Sequence, residues 1–214
     1  HKAGISIEEI DMAALGISGD DTRRQHGIIC QILTELGLRR FEMGNDARLG
    51  IWAACPDGIG VCAVNGTGFC VMASDGEWGY VQIGGLGFLS GDKGGGDYLS
   101  QRVIEAVYRQ LWKNGSETMM TPRLLETLSC AGRDDFAELL MEKAALDPAG
   151  LRLAASKLLQ EAGSLGDPVA REILTECAEE YAISIQGAVH ALPKLETRLK
   201  GRPLSIVLVG SVFT

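Results

Sequence analysis

The chain of 214 residues has few of the residues that build metal centres and hydrolase active sites. It contains three histidines, and none of its six cysteines forms a Cys-x-x-Cys pair. No spacing of these residues is typical of a zinc site, so we expect the cysteines to be free, buried thiols in a reducing compartment. Residues 16–19, with the sequence Gly-Ile-Ser-Gly, are one residue short of the Gly-x-Ser-x-Gly elbow of serine hydrolases.

Long apolar runs and an excess of positive charge are also missing. No run approaches the ~20 apolar residues that cross a bilayer, and the first residues lack the apolar core of a signal peptide. The net charge of −8 at pH 7 disfavours a nucleic-acid backbone as a partner. We therefore expect a cytoplasmic protein that binds neither nucleic acid nor a membrane.

Two widespread nucleotide motifs are absent as well. The chain has no Gly-x-x-x-x-Gly-Lys-Ser/Thr loop, which excludes an ATP site of the P-loop kind. Residues 58–63 match a loose Gly-x-Gly-x-x-Ala pattern, but they precede a strand, whereas the dinucleotide motif follows a strand and opens a helix. Any nucleotide site would have to use a different arrangement of turns.

Glycine, by contrast, is abundant, with 28 residues in the chain. Many of these glycines lie between residues 66 and 96, after an apolar stretch at 61–64 and before a helical pattern at 98–112. Successive N–H groups in glycine turns make a concave site for an anion. The segment therefore suggests a phosphate cradle, although a set of hairpin turns would explain the glycines equally well.

The first 57 residues alternate between strand and helix patterns. Thr22 and Gln25 match a capping box at the start of the first helix. The predicted order is strand 12–17, helix from Thr22 to about Gly37, strand 38–43 and helix 47–54. Such an order predicts a parallel α/β sheet.

Residues beyond 57 show a different order of patterns. Three short strands at 59–64, 68–73 and 79–83 predict an antiparallel meander. Helices are then predicted at 97–113, 122–130, 133–145, 147–163 and 167–191, with Asp147 and Asp167 as caps before proline. A buried strand at 204–209 completes the pattern.

Three turns at predicted strand ends carry a resemblance to a known family. They are Ser-Gly-Asp at 18–20, Gly-Asn-Asp at 44–46 and Asn-Gly-Thr-Gly at 65–68. Together with the glycine turns at 84–94 and Val-Gly-Ser-Val at 209–212, they resemble the BadF/BadG/BcrA/BcrD ATPase family, and within it the N-acetylglucosamine kinases. The resemblance implies an α/β fold of the ribonuclease-H-like (actin-like ATPase) kind, with two domains around a nucleotide cleft.

The resemblance also implies a domain organisation. Residues 1–57 would be part of the N-terminal ribonuclease-H-like domain. Residues 58–214 would form the C-terminal ribonuclease-H-like domain, incomplete at its C-terminus, with a helical insertion at about 113–165. The family's first phosphate motif would precede His1 and its last helices would follow Thr214, so the chain is expected to be truncated at both ends. A homodimer, which is common in the family, is also expected.

The implied function is that of an ATP-dependent kinase acting on an amino sugar such as N-acetylglucosamine. Asp46 matches the family's carboxylate that faces the sugar hydroxyl and would act as general base, because a carboxylate within hydrogen-bond reach can accept the hydroxyl proton. Considered alone, Asp46 could instead cap the helix that begins at Ala47, or do both. Mg²⁺ would arrive with ATP and be held mainly through phosphates and water, so no metal ligand is assigned.

The other implied site residues fall into two groups. The ATP contacts are Gly66, Thr67, Gly68, Gly210, Ser211 and Ala154. The substrate contacts are Ser18, Phe69, Cys70, Gly85, Leu86, Gly87 and Asp92. Each group has a structural alternative: a hairpin turn for Thr67, a strand end for Gly210 and Ser211, and a loop-capping role for Asp92.

Two positions depart from the family's pattern. Phe69 and Leu86 stand where the acetylamino-sugar kinases usually carry serine and tryptophan, which changes the sugar pocket. These departures keep open a non-catalytic nucleotide or sugar sensor. A further alternative is an ATPase activator of a 2-hydroxyacyl-CoA dehydratase or benzoyl-CoA reductase type system. Its relatives hold an iron–sulfur cluster with cysteines in a glycine-rich loop, and no cysteine here lies in such a cluster loop.

Overall fold

The computed structural model describes residues 4–77 and 79–213. Over these residues the chain is a mixed α/β protein, as predicted. Its strands are β1 (Ala13–Gly16), β2 (Phe41–Gly44), β3 (Ile59–Asn65), β4 (Phe69–Asp75), β5 (Tyr80–Gly84) and β6 (Ile206–Val209). Its α-helices are α1 (Arg23–Glu35), α2 (Ala47–Ala54), α3 (Gly96–Trp112), α4 (Met120–Thr127), α5 (Phe136–Leu146), α6 (Pro148–Ser164), α7 (Pro168–His190) and α8 (Pro193–Leu199).

The strand predicted as buried at 204–209 is shorter and largely exposed, since Ile206, Leu208 and Val209 are each more than 40% exposed. The other elements differ from the predicted ones mainly at their ends. The helix predicted at 133–145 begins three residues later, because Arg133–Asp135 form a short 3₁₀ turn. Helix α8 was not predicted; it begins at Pro193 and buries Leu195. Within the described residues no helix is long and apolar enough to cross a membrane.

The chain divides into two compact units that alternate along the sequence. The first unit comprises residues 1–64, 70–85 and 185–209, and the second comprises 65–69, 86–184 and 210–214. The organisation expected from the resemblance, with domains at 1–57 and 58–214, stays a prediction.

The first unit contains two sheets. Strands β1 and β2 pair in parallel, with Gly16 beside Gly44 at their carboxyl ends, which confirms the predicted strand–helix–strand order. The other sheet has the order β5-β4-β3-β6, in which β4 and β5 are antiparallel and β3 and β6 are parallel. Helix α2 packs on this sheet through Ala47 and Ile51. Together with Cys55, the residue after the helix, they form one core with residues of β3 and β4.

The second unit is helical. Helix α3 buries Leu99, Val103 and Val107, which recur every four residues and so lie on one face. This helix packs against α6. The two predicted proline-associated caps are present: Asp147 accepts the N–H of Gly150 at 2.9 Å, and Asp167 accepts the N–H of Ala170 at 2.8 Å.

Candidate functional site

The loop that joins β3 to β4, residues 66–68, is exposed and is held by the start of α3. The carbonyl of Gly66 accepts the N–H of Gly96 at 2.9 Å, and that of Thr67 accepts the N–H of Asp97 at 3.0 Å. Among the described residues, the N–H groups of Thr67 and Gly68 have no protein acceptor. Two neighbouring donors on a tight exposed turn are the arrangement that binds an anion.

Two glycines approach this loop too closely to carry a side chain. A Cβ on Gly95, the residue before α3, would lie 2.5 Å from the carbonyl carbon of Gly68. Gly210 has φ +126°, and a Cβ there would overlap the carbonyl oxygen of Asn65, the residue before the loop. The structure therefore brings Gly210 beside loop 66–68, two elements that the sequence assigned to ATP. The side chain of Ser211 lies outside the described part of the structure.

One side of the loop opens into a cavity of about 270 Å³. Gly66 and Thr67 line it together with Arg152, Leu153 and Val212. The guanidinium of Arg152 also pairs with Asp97, at 2.6 Å. Glycine N–H groups and a guanidinium can bind phosphate oxygens, and apolar side chains can contact a flat base.

Helix α6 supplies the cation of this cavity, which the sequence did not reveal. The predicted ATP contact on the helix, Ala154, is half-buried and does not line the cavity, whereas its neighbours Arg152 and Leu153 do. An arginine within a helical pattern gives no sign of facing a loop 84 to 86 residues earlier in the sequence. The bond from Arg152 to Asp97 is the feature that places it there.

A second, smaller cavity of about 80 Å³ is also lined by Thr67. Its other lining residues include Gly87, Asp92, Asp97 and Tyr98. Phe69 and Gly68 line it as well. Phe69, Gly87 and Asp92 are three of the residues that the sequence assigned to the substrate, and Gly68 is one that it assigned to ATP. Thr67 thus lies at the boundary of two cavities, one with predicted ATP contacts and one with predicted substrate contacts.

Asp92 shapes the loop that lines this second cavity. Its carboxylate accepts the N–H of Gly87 at 2.8 Å and the hydroxyl of Ser90 at 2.6 Å. The loop-capping role that the sequence left open is therefore present. Leu86, directly before this loop, is 55% exposed and presents an apolar surface where the family usually has an indole.

Phe69 is part of the packed interior of the second unit. It is 2% exposed, and its ring lies 4.5 Å from that of Tyr181, centroid to centroid. Gly94 has no side chain because a Cβ there would overlap the Phe69 ring. Phe69 therefore makes contacts within the core, whereas the serine that acetylamino-sugar kinases usually carry at this position would offer a hydroxyl.

Asp46 lies in the first unit, two residues after the end of β2, and is exposed. Its side chain makes no capping hydrogen bond to α2. Asn45 does so instead, since its Oδ1 accepts the N–H of Ala47 at 2.9 Å. The alternative that Asp46 is the side-chain cap of α2 is therefore wrong. Burial raises the pKa of the Cys62 thiol to about 11, and the charge of Asp46 adds to this effect.

Three residues that the sequence did not single out as site residues surround the base of this turn. We name Asp21, Asn45 and Gln82 the Asp21 cluster. The carboxylate oxygen Oδ1 of Asp21 accepts the amide N–H of Asn45 at 2.8 Å and that of Gln82 at 2.6 Å. Two residues predicted to contact substrate adjoin it: Cys70 donates its thiol to Asn45 Oδ1 at 3.9 Å, and a Cβ on Gly85 would lie 3.5 Å from Asp21 Oδ1.

The Asp21 cluster borders a cavity of about 450 Å³ at the carboxyl ends of β1 and β2. Arg48 lines it, with its guanidinium 4.1 Å from the ring centre of Tyr80 and 4.7 Å from that of Trp52. Ser18, another predicted substrate contact, is exposed in the turn after β1 and does not line the cavity. Carboxylate, amide and aromatic groups in one recess are typical of a site for a small polar ligand.

Comparison with known proteins points to one enzyme class. No protein-family model matches the chain. In sequence, the chain is 25% identical over 192 residues to the N-acetylmuramic acid/N-acetylglucosamine kinase of Clostridium acetobutylicum, a match that covers 89% of this chain and 62% of that protein.

Two solved structures resemble the chain in fold. One is a protein of Chromobacterium violaceum provisionally assigned as an N-acetylglucosamine kinase, with a TM-score of 0.68 and 22% identity over 94% of this chain and 64% of that one. The other, from Porphyromonas gingivalis and with the same provisional assignment, has a TM-score of 0.64 and 18% identity over 97% of this chain and 76% of that one.

These similarities confirm the mixed α/β class. The chain shares the fold of the two solved structures, and it is similar in sequence to an amino-sugar kinase. It spans 62% of the length of the sequence relative and 64% of the Chromobacterium chain. The roles of individual residues therefore depend on the geometry described above.

Proposed function

We propose that the chain carries the nucleotide and sugar sites of an ATP-dependent kinase of the BadF/BadG/BcrA/BcrD family, with the actin-like two-domain arrangement. The enzyme transfers the γ-phosphoryl group of ATP to a hydroxyl of an amino sugar such as N-acetylglucosamine or N-acetylmuramic acid. The observation that carries the proposal is the position of Thr67, which lines two cavities at once. Phosphoryl transfer needs donor and acceptor on either side of one phosphate.

In this proposal the larger of these two cavities takes ATP. The N–H groups of Thr67 and Gly68 and the guanidinium of Arg152 bind phosphate oxygens. We assign Gly210, Ser211 and Ala154 to the adenosine side, as the resemblance implies. Leu153 and Val212 line the cavity and add apolar surface there. Among the described residues no group of three acidic, histidine or cysteine side chains could hold a metal ion. In this proposal Mg²⁺ arrives with ATP, would be bound mainly through phosphates and water, and would neutralise charge on the phosphates.

Asp46 is the proposed general base. A hydroxyl is a poor nucleophile, and a carboxylate that accepts its proton during P–O bond formation accelerates transfer by roughly 10²–10⁴. Because Asn45 caps α2, the Asp46 carboxylate is not used in holding the helix. The side chain is exposed, as a group that meets a substrate must be before binding.

In this proposal part of the predicted substrate set binds the acceptor. We also infer that the enzyme is cytoplasmic and a homodimer. Asp92 and Gly87 line the small cavity beside Thr67, where Asp92 would accept a sugar hydroxyl. Leu86 offers an apolar surface to the ring or its acyl group. Cys70 and Gly85 act indirectly, through their contacts with the Asp21 cluster.

The test is sugar-dependent ADP release by the purified full-length protein, screened with amino sugars, acetylamino sugars and plain hexoses. Asp46→Asn should lower kcat by roughly 10²–10⁴ and leave the Kd for ATP within about twofold, because only the proton acceptor is lost. Asp57→Asn is the control, since Asp57 pairs with Arg202 on the surface.

Each contrary result has a distinct meaning. Unchanged turnover in Asp46→Asn would remove Asp46 from the mechanism. If the wild-type protein binds ATP but shows no acceptor-dependent turnover with any sugar, the result favours the non-catalytic sensor and overturns the proposed kinase.

A further inference from the structure

We propose that Asp21 is a positioning residue, which orients the carboxylate of Asp46 by fixing the side chain of Asn45. The inference rests on the proposed function, because it concerns the general base of that reaction. Asp21 does not touch substrate in this proposal. It acts through one buried amide, which in turn holds the first turn of α2.

The chemistry of the contacts allows only one orientation of the Asn45 amide. An ionised carboxylate accepts hydrogen bonds and donates none, so the NH₂ group of Asn45 has to face Asp21. Its carbonyl oxygen then faces the N–H of Ala47. The flipped amide would bring oxygen against oxygen at one end and N–H against N–H at the other, which loses both hydrogen bonds.

The Asp21 carboxylate is itself held in place from a third segment. Gln82 on β5 donates its amide to the same oxygen that Asn45 uses, at 2.6 Å. The backbone of Gly85 lies close to this pair, because a Cβ there would be 3.1 Å from Gln82 Nε2. Hydrogen bonds to an ionised acceptor are about twice as strong as neutral ones. Asn45 is 5% exposed, so water cannot readily replace them.

The consequence for Asp46 follows from the position of Asn45 at the start of α2. The N–H groups of Arg48 and Leu49 donate to the backbone carbonyls of Asn45 and Asp46, each at 3.0 Å, and the N–H of Ala47 donates to the Asn45 side chain. Asn45 thereby bridges the backbone on either side of Asp46 and fixes the direction of the Asp46 side chain. If the Asn45 amide were free to turn, this bridge would be lost and the Asp46 carboxylate would no longer be held in one position. Asp21 thus orients the general base through Asn45.

The kinetic test compares Asp21→Ala with the wild-type protein. Misplacing a reacting group by about 1 Å costs on the order of 10²-fold, so kcat should fall roughly ten- to a hundredfold while the Kd for ATP stays within about twofold. Asp21→Asn keeps an oxygen that can accept both amides and should return kcat to within about threefold of wild type. Asp57→Ala, which removes a carboxylate bonded to Arg202 and the Ile59 N–H, should leave kcat unchanged.

A double variant separates positioning from general damage. If Asp21 acts through Asp46, then Asp21→Ala in the Asp46→Asn background should lower kcat no further, because the group it positions is already lost. A merely structural residue would lower kcat by the same factor in both backgrounds. That additive result would overturn the proposal.

Amide hydrogen exchange supplies a readout that needs no turnover. In Asp21→Ala, exchange of the Ala47 N–H should be at least about tenfold faster, because its acceptor is no longer fixed. Unchanged exchange would overturn the positioning role, whatever the activity. A wild-type protein without sugar-dependent ADP release would instead overturn the proposed kinase and this inference with it, so the two failures are told apart.

Discussion

Loop 66–68 and turn 44–46 both lie at the carboxyl end of a strand, but they are built in opposite ways. The loop takes its shape from backbone contacts: its carbonyls accept N–H groups of α3, and Gly95 lets the two backbones touch. The turn takes its shape from side chains, since Asn45 is held by Asp21 and itself holds Ala47. Loop 66–68 is fixed by backbone contacts that glycine allows, and turn 44–46 is fixed by the side chains of the Asp21 cluster.

The difference shows which kind of site tolerates change. A loop packed through glycine backbones fails when any side chain is added at the contact, because a single Cβ displaces backbone atoms. A turn held by side chains fails when one of them loses its donor or acceptor. Adding a side chain should therefore damage loop 66–68, whereas removing one should damage turn 44–46.

Gly210→Ala is expected to have the largest effect. The variant adds overlap with the carbonyl of Asn65 and places alanine at φ +126°, so the free energy of unfolding should fall by about 3 kcal/mol. ATP binding should weaken as well, because Asn65 precedes loop 66–68. Urea unfolding and ATP titration measure both effects.

Gly201→Ala is the matched control for this change. Gly201 also has positive φ, at +79°, but no atom lies within 4 Å of the added Cβ. Only the conformational cost of about 1–2 kcal/mol should remain, with ATP binding unchanged. Equal losses of stability in the two variants would show that backbone strain, and not close packing on the loop, makes Gly210 necessary.

The same distinction explains what the sequence could predict. The glycines of the sequence suggested loop 66–68, and the resemblance added Gly210. Both could be noticed because a close backbone contact requires glycine at the contact itself. Parallel pairing of β1 with β2 followed from the alternation of strand and helix patterns. The Asp21 cluster was not predicted, since its bonds join residues 24 and 61 positions apart. Nothing in the local pattern around Gln82 marks it as a partner of Asp21.

Asn45→Ala tests the side-chain-built turn and should have an intermediate effect. The variant leaves the N–H of Ala47 and the carboxylate of Asp21 each without one partner, and an unsatisfied buried group costs about 1–3 kcal/mol. Urea unfolding should show a loss of about 2 kcal/mol.

Asn45→Asp sharpens this test. It keeps an oxygen for Ala47 but places a second carboxylate against Asp21, so it should be no more stable than the alanine variant. Recovery of wild-type stability by Asn45→Asp would mean that the cap alone matters and that the bond to Asp21 contributes nothing.

Thr22→Ala should have the smallest effect of the three, because it removes a side-chain cap that is local and exposed. Thr22 Oγ1 accepts the N–H of Gln25 at 3.2 Å and donates to Gln25 Oε1 at 2.7 Å. This pairing was predicted from the sequence, although the Gln25 side chain bonds the threonine hydroxyl and not the backbone N–H of a standard capping box. Loss of an N-cap costs about 1 kcal/mol, measurable by urea unfolding, and Thr22→Ser should restore it.

The Thr22 result also bears on the comparison between the two kinds of cap. In both, a side-chain oxygen accepts one N–H at a helix start, but Asn45 is buried and Thr22 is exposed. Water can replace the lost acceptor at Gln25, whereas at Ala47, which is 1% exposed, it cannot do so without opening the core. We therefore expect a smaller loss of stability in Thr22→Ala than in Asn45→Ala. Equal losses in the free energy of unfolding would contradict the view that burial, rather than the hydrogen bond itself, makes turn 44–46 rigid.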